Sequence, residues 1–351
     1  MLKIWFNHWF STAYRIMELL REGYGNKCYI IGSNDKEFCV YKMSCDEFIQ
    51  EPIFEDEKEY VEWAKNFCKE HSVDVFFPRR NMVAIANHVS EFNEMGVKVV
   101  LSSDFPTMEL FNDKAETYKR MKENNLVAVP EIEIVNNVND FITAYDKIKS
   151  IYPEDRVVFK YSCGEGATSF RVIDDKVADI SVLDTGAGLK LTYEDAIKLL
   201  STVESFPDLM VMPYLKGPEI SIDCIAGSNG EFAGICRNKL GSRVTEIHQN
   251  EELLEISKNI ATKFNLFGPF NIQFRMHNGI PYLLEINTRM SGGVHLSCLT
   301  GLNIPYLASE KAQGKDIEIP EYKKETFKVS QVETPIILNW YFKMERSCKW
   351  V

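Results

Sequence analysis

The sequence predicts an α/β plus α+β protein, in which an open parallel sheet comes first and a two-lobed, mainly antiparallel region follows. Three observations predict it. Apolar runs at residues 2–6, 27–31, 73–77 and 97–101 alternate with helical periodicity over residues 12–22, 56–70 and 82–94, the pattern of a parallel sheet. Beyond residue 105 that alternation stops, and short strands meet at Gly-rich and Asn-Gly turns. A chain of 351 residues has room for two or three folding units with a cleft between them.

Composition narrows the function classes. With 45% apolar and 26% charged residues the chain is an ordinary globular protein, not a disordered or fibrous one. Its net charge of −11 gives no general support for binding a polyanion, so a nucleic-acid partner is not expected. Nine cysteines without a paired CxxC array fit a reducing compartment. The first ten residues are too aromatic for a signal peptide, and charges interrupt every stretch that might span a bilayer. A cytoplasmic protein without a membrane partner is the expectation.

In the first unit, residues 1–105, Ser11 or Thr12 caps the first helix. The first turn, Asn7-His8-Trp9-Phe10-Ser11, holds no glycine, so the GxGxxG dinucleotide fingerprint is missing. Arg79-Arg80 follows the third apolar run through Pro78, where open sheets place ligands; the pair reads as an anion contact or as surface salt bridges. Trp5, Trp9 and Phe10 pack the unit or line a cleft floor.

Residues 106–175 predict a helix over 108–124, a second over 138–150, a strand at 157–160, a Gly and Ser-rich turn at 163–169 and a strand at 170–173. Residues 176–320 predict strands at 209–212, 220–226, 231–236, 270–276 and 282–286 and a helix at 251–264. Ser228-Asn229-Gly230 and His277-Asn278-Gly279 mark hairpins. In the extension, residues 321–351, Lys323, Lys324 and Lys328 give way to Pro335-Ile336-Ile337-Leu338, an edge strand or a docking tail.

The densest chemistry lies in Asn271-x-Gln273 followed by Glu285-x-Asn287-x-Arg289. Residues two apart on a strand share a face, so Glu285 and Asn287 converge, and oxygen ligands on adjacent strands suit Mg²⁺. An exposed polar strand face is the alternative. Lys160 precedes a turn whose Gly164 and Gly166 let backbone amides approach phosphate, although the string is not GxxxxGK[ST] and a plain flexible turn has the same composition. Lys114 reaches a nucleotide or is a solvated helix charge. In Met212-Pro213-Tyr214-Leu215-Lys216-Gly217-Pro218-Glu219 the Pro213 carbonyl and the Leu215 amide suit an adenine edge, and Glu219 suits ribose hydroxyls; a tight strand connection is the other reading.

Taken in order, these residues resemble the ATP-grasp superfamily over about residues 1–310, in particular one synthetase half of carbamoyl-phosphate synthase and related carboxylate-amine ligases. The resemblance implies a pre-ATP-grasp Rossmann-like domain at 1–105, a small lobe with the phosphate lid at 106–175, and a linker with the C-terminal lobe at 176–320. It implies that Lys114 and Lys160 contact ATP phosphates, that the turn with Gly164 and Gly166 is a lid, and that Met212, Pro213 and Leu215 hold adenine with Glu219 at the ribose. It implies that Gln273, Glu285 and Asn287 hold magnesium, as two ions with manganese as a substitute, and that Arg289 steadies the transferred phosphate or acylphosphate. Pro213 stands where such proteins often carry glutamate, and Tyr161 where proline commonly follows the lysine.

The implied reaction activates a small-molecule carboxylate as an acylphosphate for attack by an amine, releasing ADP and phosphate, in a monomer or homodimer. Arg237, Lys239 and Arg243 follow the 231–236 strand, and Arg243 is the preferred carboxylate clamp. Ser291-Gly292-Gly293 reads as the loop at the acyl site or as a strand end. The six histidines lack zinc spacing, and Cys163 lacks a nearby base in sequence. The alternatives are a carbamoyl-phosphate-synthase-like kinase acting on a bicarbonate-derived substrate, and a non-catalytic ATP-binding module.

Overall fold

A computed structural model describes residues 1–164, 169–178, 188–241, 243–332 and 335–336. Gly166, with most of the expected lid turn, and Ile337 and Leu338 lie outside the described residues.

The first unit comprises β1 (Leu2–Asn7), α1 (Ala13–Gly23), β2 (Cys28–Asn34), β3 (Glu47–Gln50), α2 (Glu57–His71), β4 (Val75–Phe77), α3 (Met82–Asn87), α4 (Val89–Glu94) and β5 (Lys98–Val99). Its five strands are parallel in the order β3-β2-β1-β4-β5. β1 is central and buried on both faces: Trp5 stacks on Phe76 at 4.0 Å on one side, and Phe6 stacks on Phe77 at 4.7 Å on the other. β3 escapes the sequence pattern because it is a half-exposed edge strand with two polar ends. The helix expected at 82–94 is two short helices that break at His88.

α5 (Phe105–Asn112) and α6 (Lys114–Glu123) replace the single helix expected at 108–124. Asp113 causes the break: it is extended, and its carboxylate accepts from the amides of Ala115 and Glu116, capping α6. The second sheet, β6-β10-β7-β8-β9, is built from β6 (Glu133–Val135), β7 (Val157–Tyr161), β8 (Arg171–Ile173), β9 (Lys190–Leu191) and β10 (Leu209–Pro213), with α7 (Val138–Ile151) and α8 (Tyr193–Leu200) between them in the chain. It therefore runs past the boundary expected at residue 175. Val157, Phe159, Leu209 and Val211 pack on α7 and α8, while Val158, Met210, Met212 and Val172 share a separate cluster with Tyr118 of α6.

The third sheet is antiparallel, in the order β15-β14-β11-β12-β13-β16. It contains β11 (Glu219–Ala226), β12 (Phe232–Lys239), β13 (Val244–His248), β14 (Gly268–His277), β15 (Ile280–Asn287) and β16 (Phe327–Ser330), with α9 (Glu251–Lys263) between β13 and β14 and α10 (Val294–Ser297) and α11 (Ile304–Ala312) after β15. Ile220, Ile222, Cys224, Phe270, Ile272 and Phe274 turn to one face and pack with Leu253 and Ile260 of α9. On the opposite face Ile225, Ala233, Ile235 and Ile247 join Ile16, Met17 and Leu20 of α1 in one core. The edge strand thus lies at β16, ahead of the Pro335 segment; Pro335 and Ile336 are not in a strand. Among the described residues no helix is long and apolar enough to cross a membrane.

Candidate active site

The polar face of the third sheet is built by register. β14 and β15 set Asn271 opposite Asn287 and Gln273 opposite Glu285, while β11 sets Asp223 beside Asn271 and Ser221 beside Gln273. Alternation turns the apolar neighbours Phe270, Ile272 and Phe274 the other way, so the core itself fixes which side these groups occupy. Asn287 Nδ2 donates to Glu285 Oε1 at 2.8 Å, and Gln273 Nε2 donates to Asn271 Oδ1 at 3.3 Å. Asn271 is fully buried and donates to Ser221 Oγ, the Ile222 carbonyl and Asp223 Oδ1, so it buttresses the row from behind.

A register shift between Gln273 and Phe274 interrupts the β14–β15 ladder. Beside it, the Leu284 carbonyl accepts from the Tyr118 hydroxyl at 2.9 Å. Tyr118 lies one turn beyond Lys114 on α6, so the same contact sets Lys114 over the hairpin. The Lys114 side chain is buried, and its Nζ donates to the Gly164 carbonyl at 2.7 Å; its amide donates to Ser162 at 3.2 Å.

Lys160 comes from the facing lobe, on β7 opposite Met210. Burial, and then the neighbouring Lys114 charge, lower its pKa to about 8 against an opposing pull from Glu285. Glu285 also acts, after burial, to raise the Tyr118 pKa. Lys114, Lys160, Tyr118 and Glu285 are therefore electrostatic neighbours although they stand on three elements of two lobes.

The linker between the lobes is held by groups that its own sequence does not announce. Arg275 Nη1 donates to the Leu215 carbonyl at 3.3 Å, and Arg275 Nη2 pairs with Glu219 at 3.0 Å. His277 Nδ1 accepts from the Lys216 amide at 3.3 Å. Gly217 lies so close to the Met276 carbonyl that a Cβ would collide with it. Met212 and Pro213 end β10 beside the apolar face formed by Val158, Met210 and Val172.

The structure separates the two arginines: Arg237 lies in β12 and Arg243 beyond its end. Arg243 stands at φ 67° in the exposed β12–β13 turn, past the end of the strands, where its carbonyl accepts from Ser330 Oγ; this placement argues against its expected role as the carboxylate clamp. Arg237 is the buried one. Its Nε pairs with Asp223 Oδ2 at 2.7 Å, and its Nη2 donates to Ser221 and Ser291. Burial would raise the Asp223 pKa, but Arg237, Ser297 and Ser291 together hold it below the usual carboxylate value. Gly293 packs on this guanidinium, with a Cβ there only 2.6 Å from Arg237 Nη1. Arg289 leaves β15 toward the first unit, where its guanidinium carbon lies 5.1 Å from the centre of the Phe10 ring.

A family model described as ATP-grasp in the biosynthetic pathway with Ter operon matches residues 205–335. Over 334 residues, 90% of this chain, the sequence is 24% identical to the carbamoyl phosphate synthase large chain of Clostridium acetobutylicum, but it spans only 29% of that relative. A biotin carboxylase from Campylobacter jejuni, solved as a β-γ-ATP complex, superposes with a TM-score of 0.65 at 18% identity, covering 91% of this chain and 72% of that one. An L-amino acid ligase from Bacillus licheniformis superposes with a TM-score of 0.62 at 16% identity, covering 91% and 75%. The chain carries the ATP-grasp fold.

The polar row lies on the face of the third sheet opposite Phe270, Ile272 and Phe274. The donor set passes a chemical test for magnesium. Glu285 supplies one carboxylate, and Gln273 and Asn287 supply amide oxygens on the same face, while among the described residues no three His, Cys, Asp or Glu side chains form a cage. Such a set suits a hard cation that takes its remaining oxygens from phosphate and water. Lys160 and Lys114 add two positive charges near this set.

Proposed function

We propose that this chain is an ATP-dependent ligase that activates a carboxylate as an acylphosphate and passes the acyl group to an amine, with release of ADP and phosphate. The observation that carries this reading is that the register of β14 and β15 gathers Gln273, Glu285 and Asn287 on one face while Lys160 of β7 is electrostatically coupled to both Glu285 and Lys114.

A carboxylate cannot expel oxide when an amine attacks it. Phosphorylation supplies a leaving group: a carboxylate oxygen attacks the γ-phosphorus, the bond from that phosphorus to the β–γ bridging oxygen breaks, and ADP departs. The amine nitrogen then attacks the acyl carbon, the bond to phosphate breaks, and the nitrogen loses a proton. Lys160 and Lys114 hold the phosphates as charge moves onto the β-phosphate, and Arg289 steadies the transferred group. Gln273, Glu285 and Asn287 would hold magnesium, which when bound supplies Lewis-acid charge at the phosphate oxygens. Val158, Met210, Met212 and Val172 offer adenine an apolar wall, Leu215 its main chain, and Glu219, steadied by Arg275, a partner for the ribose hydroxyls. Gly164 caps the phosphates through its backbone, within reach of Lys114.

The test is substrate-dependent formation of ADP and phosphate with Mg²⁺ across a panel of acids and amines. Glu285→Ala and Asn287→Ala are expected to lower turnover by about 10²-fold or more while leaving circular dichroism unchanged. Preserved ADP formation in both folded variants rejects the reading, and AMP with pyrophosphate as products points to adenylation instead. The similarity to a carbamoyl phosphate synthase large chain supports a second reading, a kinase acting on a bicarbonate-derived substrate. Bicarbonate-stimulated ATP turnover favours that reading over the ligase.

A further inference from the structure

An amide coordinates a hard cation through its carbonyl oxygen and not through its nitrogen. Gln273 and Asn287 can therefore serve one only when each amide is turned the right way round. Asn287 is set within the row: its Nδ2 donates to Glu285 Oε1 at 2.8 Å, which leaves Oδ1 as the end that can coordinate. Gln273 is set from behind. Its Nε2 donates to Asn271 Oδ1 at 3.3 Å, so its direction depends on the direction of Asn271.

The surroundings of Asn271 admit one direction. It is fully buried, and its Nδ2 faces the Ile222 carbonyl at 3.0 Å, Asp223 Oδ1 at 2.9 Å and Ser221 Oγ at 3.0 Å. The carbonyl can only accept. Asp223 also accepts: its Oδ2 takes Arg237 Nε at 2.7 Å and Ser297 Oγ at 2.6 Å, and its Oδ1 takes Ser291 Oγ at 2.7 Å. Arg237 Nη2 donates to Ser221 Oγ at 3.2 Å, so that hydroxyl accepts as well. A reversed Asn271 would set its oxygen against the lone pairs of Ile222 and Asp223 in a place closed to water. The hydrogen bonds thus run one way, from Gln273 through Asn271 to Ile222 and Asp223, and they leave Gln273 Oε1 as the end available to a cation.

Resting on the magnesium-dependent reading above, we infer that Asn271 is a positioning residue: anchored by Asp223 and the Ile222 carbonyl, it fixes the Gln273 amide so that oxygen, and not nitrogen, faces the cation. Without Asn271 the acceptor that holds Gln273 Nε2 is gone, and the Gln273 amide turns either end to the site with only one of them able to coordinate. A carboxylate at position 273 needs no such guide, because both of its ends are oxygen.

The full chain is titrated by calorimetry with a nonhydrolysable ATP analogue, once with saturating Mg²⁺ and once with EDTA. The ratio of the two Kd values reads what the metal adds, and the EDTA value reads the remaining nucleotide contacts. Asn271→Ala is expected to cut the Mg²⁺-dependent gain by about tenfold and to move the EDTA value by less than about twofold. In a Gln273→Glu background the same substitution should change the gain by less than about twofold, whereas a general loosening of the sheet lowers it in both backgrounds. Ser297→Ala removes a hydrogen bond to Asp223 Oδ2 without touching Asn271, and it should leave the gain as it was. Should Asn271→Ala fail to fold, Asn271→Ser, which still offers a donor to the buried acceptors but is too short to hold Gln273, carries the same expectation. An unchanged gain in the folded Asn271 variant, an equal loss in the Gln273→Glu background, or an equal loss in Ser297→Ala overturns this inference alone. An unaltered protein that binds no nucleotide, or binds it no better with Mg²⁺ than with EDTA, defeats the reading above, and this inference falls with it.

Discussion

Lys160 carries its charge against two opposing influences, burial and the adjacent Lys114, and its pKa of about 8 lies well below the ordinary 10.5. In the nucleotide-free protein the unfolded chain therefore binds more protons than the folded one between about pH 8 and 10.5. The charged lysine costs the fold stability below pH 8, and that cost is relieved as pH rises through this window. Under the proposed function, a bound triphosphate would reverse the local balance by supplying negative charge. Nucleotide binding above pH 8 should then take up a proton, of order one per ATP near pH 9, and affinity should fall as pH rises. Calorimetry in two buffers of different ionisation enthalpy measures the uptake, and Lys160→Met should abolish it. An uptake unchanged by that substitution would assign the proton to another group.

Among the elements, the β14–β15 hairpin and the linker before β11 depend on each other. Arg275 and His277 of β14 hold Leu215, Glu219 and Lys216, and Gly217 fits only because it lacks a Cβ toward the Met276 carbonyl. Gly217→Ala should push the linker off β14 at a stability cost of about 1–3 kcal/mol, and adenine-nucleotide affinity should drop with it. Thermal unfolding and titration with an ATP analogue check the two effects; lost stability with unchanged affinity would mean that the linker does not carry the adenine contact. The Asp223–Arg237 pair shows the same interdependence at a shorter range. Its attraction and the hydroxyls of Ser221, Ser291 and Ser297 offset the desolvation of two charges, so that β11, β12 and the segment after β15 form one polar knot beside the row of Gln273, Glu285 and Asn287.

At the scale of the molecule, one core joins the first unit to the third sheet: Ile16, Met17 and Leu20 of α1 share it with Ile225, Ile235 and Ile247. These two parts should open together. Ile235→Ala, a large-to-small change at a fully buried site, should cost about 2–4 kcal/mol and lower hydrogen-exchange protection in β1 and β4 as well as in the third sheet. Unchanged protection in the first unit would show that the two open separately. This shared core also brings Arg79 and Arg289 to the same Phe10 ring.

The sequence by itself determined the parallel-then-antiparallel order of the strands and the shared face of Glu285 and Asn287, because both are local periodicities: apolar alternation needs only the pleat of a strand to decide which side a residue takes. It also marked Lys160, a charge at the end of an apolar strand. Half-exposed edges such as β3 and β16 were not legible, since too few of their residues are committed to a core, and Asp113 divided a helix where periodicity ran through. Only the tertiary structure decided that Arg237 is buried while Arg243 is not, that Arg275 steadies Glu219, and that Arg79 and Arg289 meet on Phe10. Each of these depends on a register or a docking between segments far apart in the chain, and such encounters are set by the packing of whole faces, which no local spacing encodes.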